Sequence, residues 1–324
     1  IGFESLKALT TGAGNVAVGY DALGDLIEGD NNIAIGYEAM NAMVGQTGED
    51  NVGDNNIAIG RDAMGSVNAG THASARSDNN VAIGINALLG GTFTSSARNM
   101  DKNVAIGAYA LDGTGILDCL GQVAIGYEAL TALTEGIGNV VIGYRAGALL
   151  EEGQYNTVLG YQAFDAGEED SKCTAIGYKA LTAAYVSNTG TAVDTWNTAV
   201  GYFAGGAVST GLKNTLIGGA AGDALTTGYS NTVLGYNALG TMQAGFQNVA
   251  IGQDAMGLTS AAVDLCVCIG VEAGKGINHV NSDGLVAIGY QAGLVADSCL
   301  RTTFVGTQAG SDMVGGAITQ QLVM

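Results

Sequence analysis

The chain predicts an all-β fold, a parallel β-roll or β-solenoid of about 17 coils assembled as a parallel homotrimer, and three observations carry that expectation. First, one stretch, Asn31-Asn32-Ile33-Ala34-Ile35-Gly36-Tyr37-Glu38-Ala39-Met40, recurs from end to end. Its pivot glycines are Gly2 (incomplete), Gly19, Gly36, Gly60, Gly84, Gly107, Gly126, Gly143, Gly160, Gly177, Gly201, Gly218, Gly235, Gly252, Gly270, Gly289 and Gly306, seventeen copies of which sixteen are full. Second, neighbouring pivots lie 17 to 24 residues apart. A unit that short cannot bury its own apolar face, so copies must stack. Third, the 324 residues include 53 glycines and no proline, and 47% are hydrophobic, which excludes collagen and argues against a disordered linker.

Each position of the repeat has a reason when the pivot is numbered zero. Position −1 is Ile, Val or Leu and position −3 is Val, Ile or Thr in all sixteen full copies; in a strand the two share a face. Position −2 is mostly Ala, as at Ala34 and Ala58, so the opposite face is apolar too, but small. A strand buried on both sides fits a parallel stack with one face turned into its own coil. The small face is assigned to the axis between chains, because a seventeen-residue coil encloses too little volume to stand alone and a threefold assembly covers the remaining face by symmetry.

Position +3 is Ala in every full copy, including Ala39, Ala63 and Ala238, which implies a space that admits one methyl group. Position +4 is Leu, Met or Phe in some copies and Gly in others, and +7 is often apolar. Spacings of +3, +4 and +7 are helical, so a short helical or 3₁₀ turn and a second strand both stand as readings of this segment. Asn occupies −4 in eleven of sixteen copies, among them Asn32, Asn56 and Asn231, and is read as an amide ladder along the stack. The exceptions, Gln122, Cys173, Cys266, Leu285 and Thr302, should mark weaker corners. Glycine at the pivot, as at Gly36, Gly60 and Gly235, supplies a positive φ or a close backbone approach. Tyr fills +1 in nine copies and is read as a packing rib.

Residues 1–324 therefore form a single repeat array, expected to be an excerpt of a longer chain, with lateral loop insertions at 41–55, 65–79, 89–102 and 182–196. Such insertions carry the individuality of a solenoid. Their candidate surface or ligand contacts are His72, Arg76, Tyr185 and Trp196.

Net charge of −19 repels a phosphate backbone, so neither nucleic acid nor an anionic membrane is an expected partner. No apolar run is long enough to span a bilayer. Five scattered cysteines and two histidines make no zinc pattern; Cys266 and Cys268 are read as small buried hydrophobes. The Asp-Asn-Asn runs, such as Asp54-Asn55-Asn56, invite calcium, yet Asp and Asn also lead turn statistics, so no metal or other cofactor is expected. Adjacent carboxylates such as Glu151-Glu152 arise readily among thirty acidic residues, and no catalytic residue is assigned.

The repeat, also seen as Asn231-Thr232-Val233-Leu234-Gly235-Tyr236-Asn237-Ala238-Leu239 and Asn197-Thr198-Ala199-Val200-Gly201-Tyr202-Phe203-Ala204-Gly205, resembles the head repeats of trimeric autotransporter adhesins of the YadA type. It is similar also to the Asn-Thr-Ala-x-Gly-Tyr-x-Ala-Leu arrays of bacterial and phage tail-fibre-like proteins. The resemblance implies a trimeric parallel β-roll serving as a shaft or head that adheres to a surface. The expected function is a non-enzymatic structural and adhesive fibre segment of a phage tail fibre or virion appendage, extracellular, recognising a cell-surface glycan or protein. A bacterial surface adhesin is the alternative within that class, and a polysaccharide-degrading tailspike is the alternative in another.

Overall fold

A computed structural model describes residues 1–43, 53–67, 76–90, 99–113, 118–184, 192–259, 262–277, 282–296, 299–311, 313, 318–319 and 322–323. The chain divides into two compact units, Ile1–Gln162 and Ala163–Thr189 with Val193–Met324.

The described residues are all-β, without an α-helix, and wind as a parallel β-solenoid. In the first unit the full copies contribute the strands Val16–Val18, Ile33–Ile35, Ile57–Ile59, Val81–Ile83, Val104–Ile106, Val123–Ile125, Val140–Ile142 and Thr157–Leu159. In the second they contribute Thr174–Ile176, Thr198–Val200, Thr215–Ile217, Thr232–Leu234, Val249–Ile251, Val267–Ile269, Val286–Ile288 and Thr303–Val305, and Leu322–Val323 adds one more. Counted as whole turns the solenoid has about 14, below the 17 coils expected. Within each unit the strand residues lie over their counterparts: Val16 pairs Ile33, Ala34 pairs Ala58 and Leu234 pairs Ile251. A 24-residue interval pairs in the same register as a 17-residue one.

The faces of the strand are the reverse of the sequence expectation. Position −2 is buried inside its own coil, with Ala34, Ala58 and Ala82 fully covered, while −3 and −1 look outward, Val16 being 47% and Ile35 39% exposed. Volume decides this. The interior already holds the buried Ala at +3 and the buried Leu or Met at +4 and +7, such as Ala22, Leu23 and Leu26, and leaves room at −2 for little more than a methyl group. In several coils with a larger −2 residue, +4 is glycine. Leu216 sits in the coil of Gly222, where an added Cβ would come within 2.9 Å of its side chain, and Cys268 stands in the same relation to Gly274 at 2.4 Å.

The segment after the pivot is neither a helix nor a second strand. Positions +2 and +4 are left-handed in every full copy, from φ 48° at Leu88 to φ 66° at Gly310, including residues such as Met64 and Phe203 that gain nothing from that conformation themselves. Hydrogen bonds to neighbouring coils impose it: the N–H of Glu38 donates back to the Tyr20 carbonyl (2.9 Å), and that of Leu23 donates forward to the Ala39 carbonyl (3.0 Å). These alternating turns, closed locally by i→i+3 bonds such as the Ala63 N–H to the Gly60 carbonyl (3.5 Å) and the Gly65 N–H to the Asp62 carbonyl (3.1 Å), carry +3, +4 and +7 inward.

The pivot glycine meets both requirements expected of it. Its φ runs from 127° at Gly306 to 147° at Gly2. A Cβ on Gly19 would stand 2.1 Å from the Gly36 carbonyl oxygen, and one on Gly235 would stand 2.5 Å from that of Gly252. No other side chain fits such a column.

The −4 ladder forms as expected. The Asn56 N–H donates to Asn32 Oδ1 (2.9 Å), the Asn80 N–H to Asn56 Oδ1 (2.9 Å), and the Asn80 Nδ2 to the Met100 carbonyl (2.7 Å), all buried. Asn214, Asn231 and Asn248 repeat the scheme in the second unit. Gln122 is no weak corner: its Oε1 accepts from the Asn139 N–H (3.1 Å), so the longer amide keeps the ladder running. The Cys266 N–H donates to Asn248 Oδ1 (3.0 Å), after which Leu285 and Thr302 occupy the corner.

Candidate interaction surfaces

The largest feature is the outward strand face. Positions −3, −1 and +1 follow one another along each coil, so aliphatic side chains and the +1 ring form one stripe per unit. Tyr20 and Tyr37 stack at 5.1 Å between centroids, Tyr144 and Tyr161 at 5.1 Å, and Tyr178 and Tyr202 at 5.0 Å. Tyr202 and Tyr236 are 65% and 64% exposed. The Glu38 carboxylate beside Tyr37, and Glu128 beside Tyr127, push those phenols above their ordinary pKa. Contiguous apolar surface on this scale is costly to leave in water.

A second column was not legible as one in the sequence. At −6, Asp30, Asp54, Asp78 and Asp101 each lie on the next coil's copy of the same spot. The N–H of Asp30 donates to Asp54 Oδ1 (2.8 Å), that of Asp54 to Asp78 Oδ1 (2.9 Å), and that of Asp78 to Asp101 Oδ1 (2.9 Å). The Asp-Asn-Asn runs are thus two adjacent ladders separated by a left-handed residue, Asn31, Asn55 or Asn79. Burial raises the Asp101 pKa, and the Asp78 charge adds to the rise against the backbone hydrogen bond from Asp78. Among the described residues no group of three His, Cys, Asp or Glu side chains is arranged to hold a metal ion.

Of the candidate loop contacts, His72 and Tyr185 lie outside the described residues. Arg76 is exposed and makes a parallel bridge with Asn99. Trp196 is 52% exposed; Lys172 Nζ sits 4.7 Å from its ring centroid and also pairs with Asp194. Arg76 belongs to the first unit and Trp196 to the second. The carboxy-terminal ends of the insertions belong to the coil itself, since Met100–Asp101 pairs with Cys119–Leu120, and that with Gly136–Ile137. The repeat residues Asn32, Gly36, Ala39, Asn56, Gly60, Ala63, Asn231, Gly235 and Ala238 all sit in the buried columns or at the pivot, with the structural roles described above.

All five cysteines are buried, and burial pushes the thiols of Cys119, Cys173 and Cys266 up to about 12, so they stay protonated and inert.

In the second unit the −6 position is mixed, Ser171, Thr195 and Leu212 preceding two aromatics, and a hollow opens beside these. Tyr229 and Phe246 hold −6 in two successive coils and stack at 5.1 Å with 5° between planes; the coil beyond carries Asp264. A cavity of about 270 Å³ opens there, with Thr227, Ala244 and Ala262 at −8 of the three coils. In-register aromatics at −6 were the available sequence signal.

No protein-family model and no curated protein matches the chain.

Proposed function

We propose that this chain is a non-enzymatic structural and adhesive fibre segment, part of a phage tail fibre or similar virion appendage, extracellular, and closed as a parallel homotrimer over its outward strand face. One observation carries the reading: a stripe of aliphatic residues at −3 and −1, joined in runs of neighbouring coils by stacked tyrosines, is exposed in the single chain. Sister chains of identical repeat cover a periodic stripe in matching period, which an unrelated partner does not. The net charge of −19 and the resemblance of the repeat to YadA-type heads and tail-fibre arrays support the same reading. Substrate chemistry has no place in it.

Sedimentation equilibrium tests the assembly. The expected mass is three times the 32.4 kDa of the chain; a stable folded monomer overturns the trimer. Release of oligosaccharide from host capsule by the purified chain would instead make it a tailspike.

A further inference from the structure

We propose that the hollow beside Phe246 binds one neutral pyranose ring of a surface glycan. The proposal deepens the adhesive reading above and rests on it only for where the sugar is met. The aromatic column at −6 consists of Tyr229 and Phe246, and it stops at Phe246 because the following coil carries Asp264 in that position. The cavity runs beside both rings and past the end of the stack, lined by Thr227 and Tyr229, by Ala244 and Phe246, and by Ala262 and Asp264 of three successive coils.

The lining matches the two-faced chemistry of a pyranose. One side of such a ring is a row of C–H bonds that packs against an aromatic side chain, and its rim carries hydroxyl donors. Asp264 is among the lining residues and brings a carboxylate that can accept from them; its Oδ1 already takes the Phe246 N–H (2.9 Å). The exposed Thr227 adds a hydroxyl at the opposite coil. The small residues are not all there for a ligand. A Cβ on Gly228 would strike the Leu225 side chain at 2.4 Å, and one on Gly245 the Met242 sulfur at 2.2 Å, so packing alone demands those glycines. Asp264 also serves the −6 ladder, its own N–H donating to Asp283 Oδ1 (3.0 Å), so the features that packing does not demand are the two aromatics and the exposed Ala262. A chain of net charge −19 disfavours sialic and uronic acids, which leaves hexoses and N-acetylhexosamines.

The test titrates the full chain with methyl glucoside, methyl galactoside and methyl N-acetylglucosaminide, reading saturation transfer to the sugar. Binding of at least one, in the millimolar range, is expected, weakened at least tenfold in Phe246→Leu, which keeps apolar bulk without the ring face, and in Ala262→Leu, which fills the hollow from an exposed position. Asp264→Asn should weaken it less. If Phe246→Leu does not fold, as circular dichroism will show, Ala262→Leu decides. No transfer to any of the three sugars, a preference for choline over all of them, or binding within twofold of the parent in Ala262→Leu overturns the proposal. Sedimentation of the same samples reads the trimer separately, so absence of sugar binding by the parent chain with the assembly intact counts against this site alone.

Discussion

The corner that precedes each strand is built in two ways. In the first unit amides run through it almost without a break, from Asn15 through Asn32, Asn56, Asn80, Asn103, Gln122 and Asn139 to Asn156, each N–H received by the amide oxygen before it. In the last described coils of the second unit the same buried position passes to Cys266, Leu285 and Thr302. The strands beyond are nonetheless paired in unchanged register, Val267 on Val286 and Val286 on Thr303. Register therefore belongs to the pivot glycine and the main chain, while the amide ladder adds stability where it is complete and is dispensable where the corner is filled by other means.

The largest expected effect tests what the two regions share. Gly84→Ala in the laddered region and Gly289→Ala beyond it place a Cβ 2.5 Å from the Gly107 and Gly306 carbonyl oxygens respectively, at φ 142° and 132°. Both should abolish soluble, folded protein, read by expression and far-UV dichroism. A folded Gly289→Ala chain would mean that the pivot matters only where the amides run.

The next effect separates the regions. Asn80→Leu strips a partner from the buried Asn103 N–H and from the Met100 carbonyl, costing about 2–6 kcal/mol at ~1–3 kcal/mol per stranded group. Leu285→Asn, placed between Cys266 and Thr302, should change stability by about 1 kcal/mol or less, because each lost apolar contact is offset by a new local hydrogen bond. Guanidinium unfolding midpoints of the two variants measure the difference, and equal losses would remove the distinction between the two corners.

The smallest effect concerns pH. Asp101 in the first unit and Asp264 in the second both have folded pKa values raised by burial, as do Asp62, Asp112 and Asp223. A raised carboxylate means the folded state holds its proton more tightly than the unfolded chain. Its stabilising contribution is complete below the unfolded value near 4 and is lost as pH rises through the folded value. Glu272, lowered by hydrogen bonds from Gln291 and Lys275, acts in the opposite sense and alone. The melting temperature should therefore rise modestly from pH 7 toward pH 4, in contrast to ordinary acid denaturation; a steady fall over that interval would show that these five aspartates do not govern the response.

Much of this design is visible in the residues. The period, the strand at −3 to −1, the Asn column and the reason for glycine at the pivot follow from spacing and side-chain chemistry alone. Alternation tells that Ile33 and Ile35 share a face, but not which side of the coil that face occupies; only the summed volume of Ala39, Met40 and Met43 inside decides it. The turn after the pivot was opaque for another cause. Leu23, Met40 and Glu38 adopt left-handed φ under the pull of neighbouring coils, and none of them is a residue that signals it. The Asp column hid inside runs that local turn preference explained equally well, and the hollow at Phe246 depends on which coil lies over which.

The tolerance of the pairing to interval length has a mechanical meaning. Seven extra residues between Gly36 and Gly60 leave Ile33 facing Ile57, as if nothing had been inserted. Material can be spliced in at such a port, or trimmed from it, without re-indexing anything downstream. The molecule thus works as a rack with fixed teeth and exchangeable fittings, free to change what it displays while its backbone stays the same.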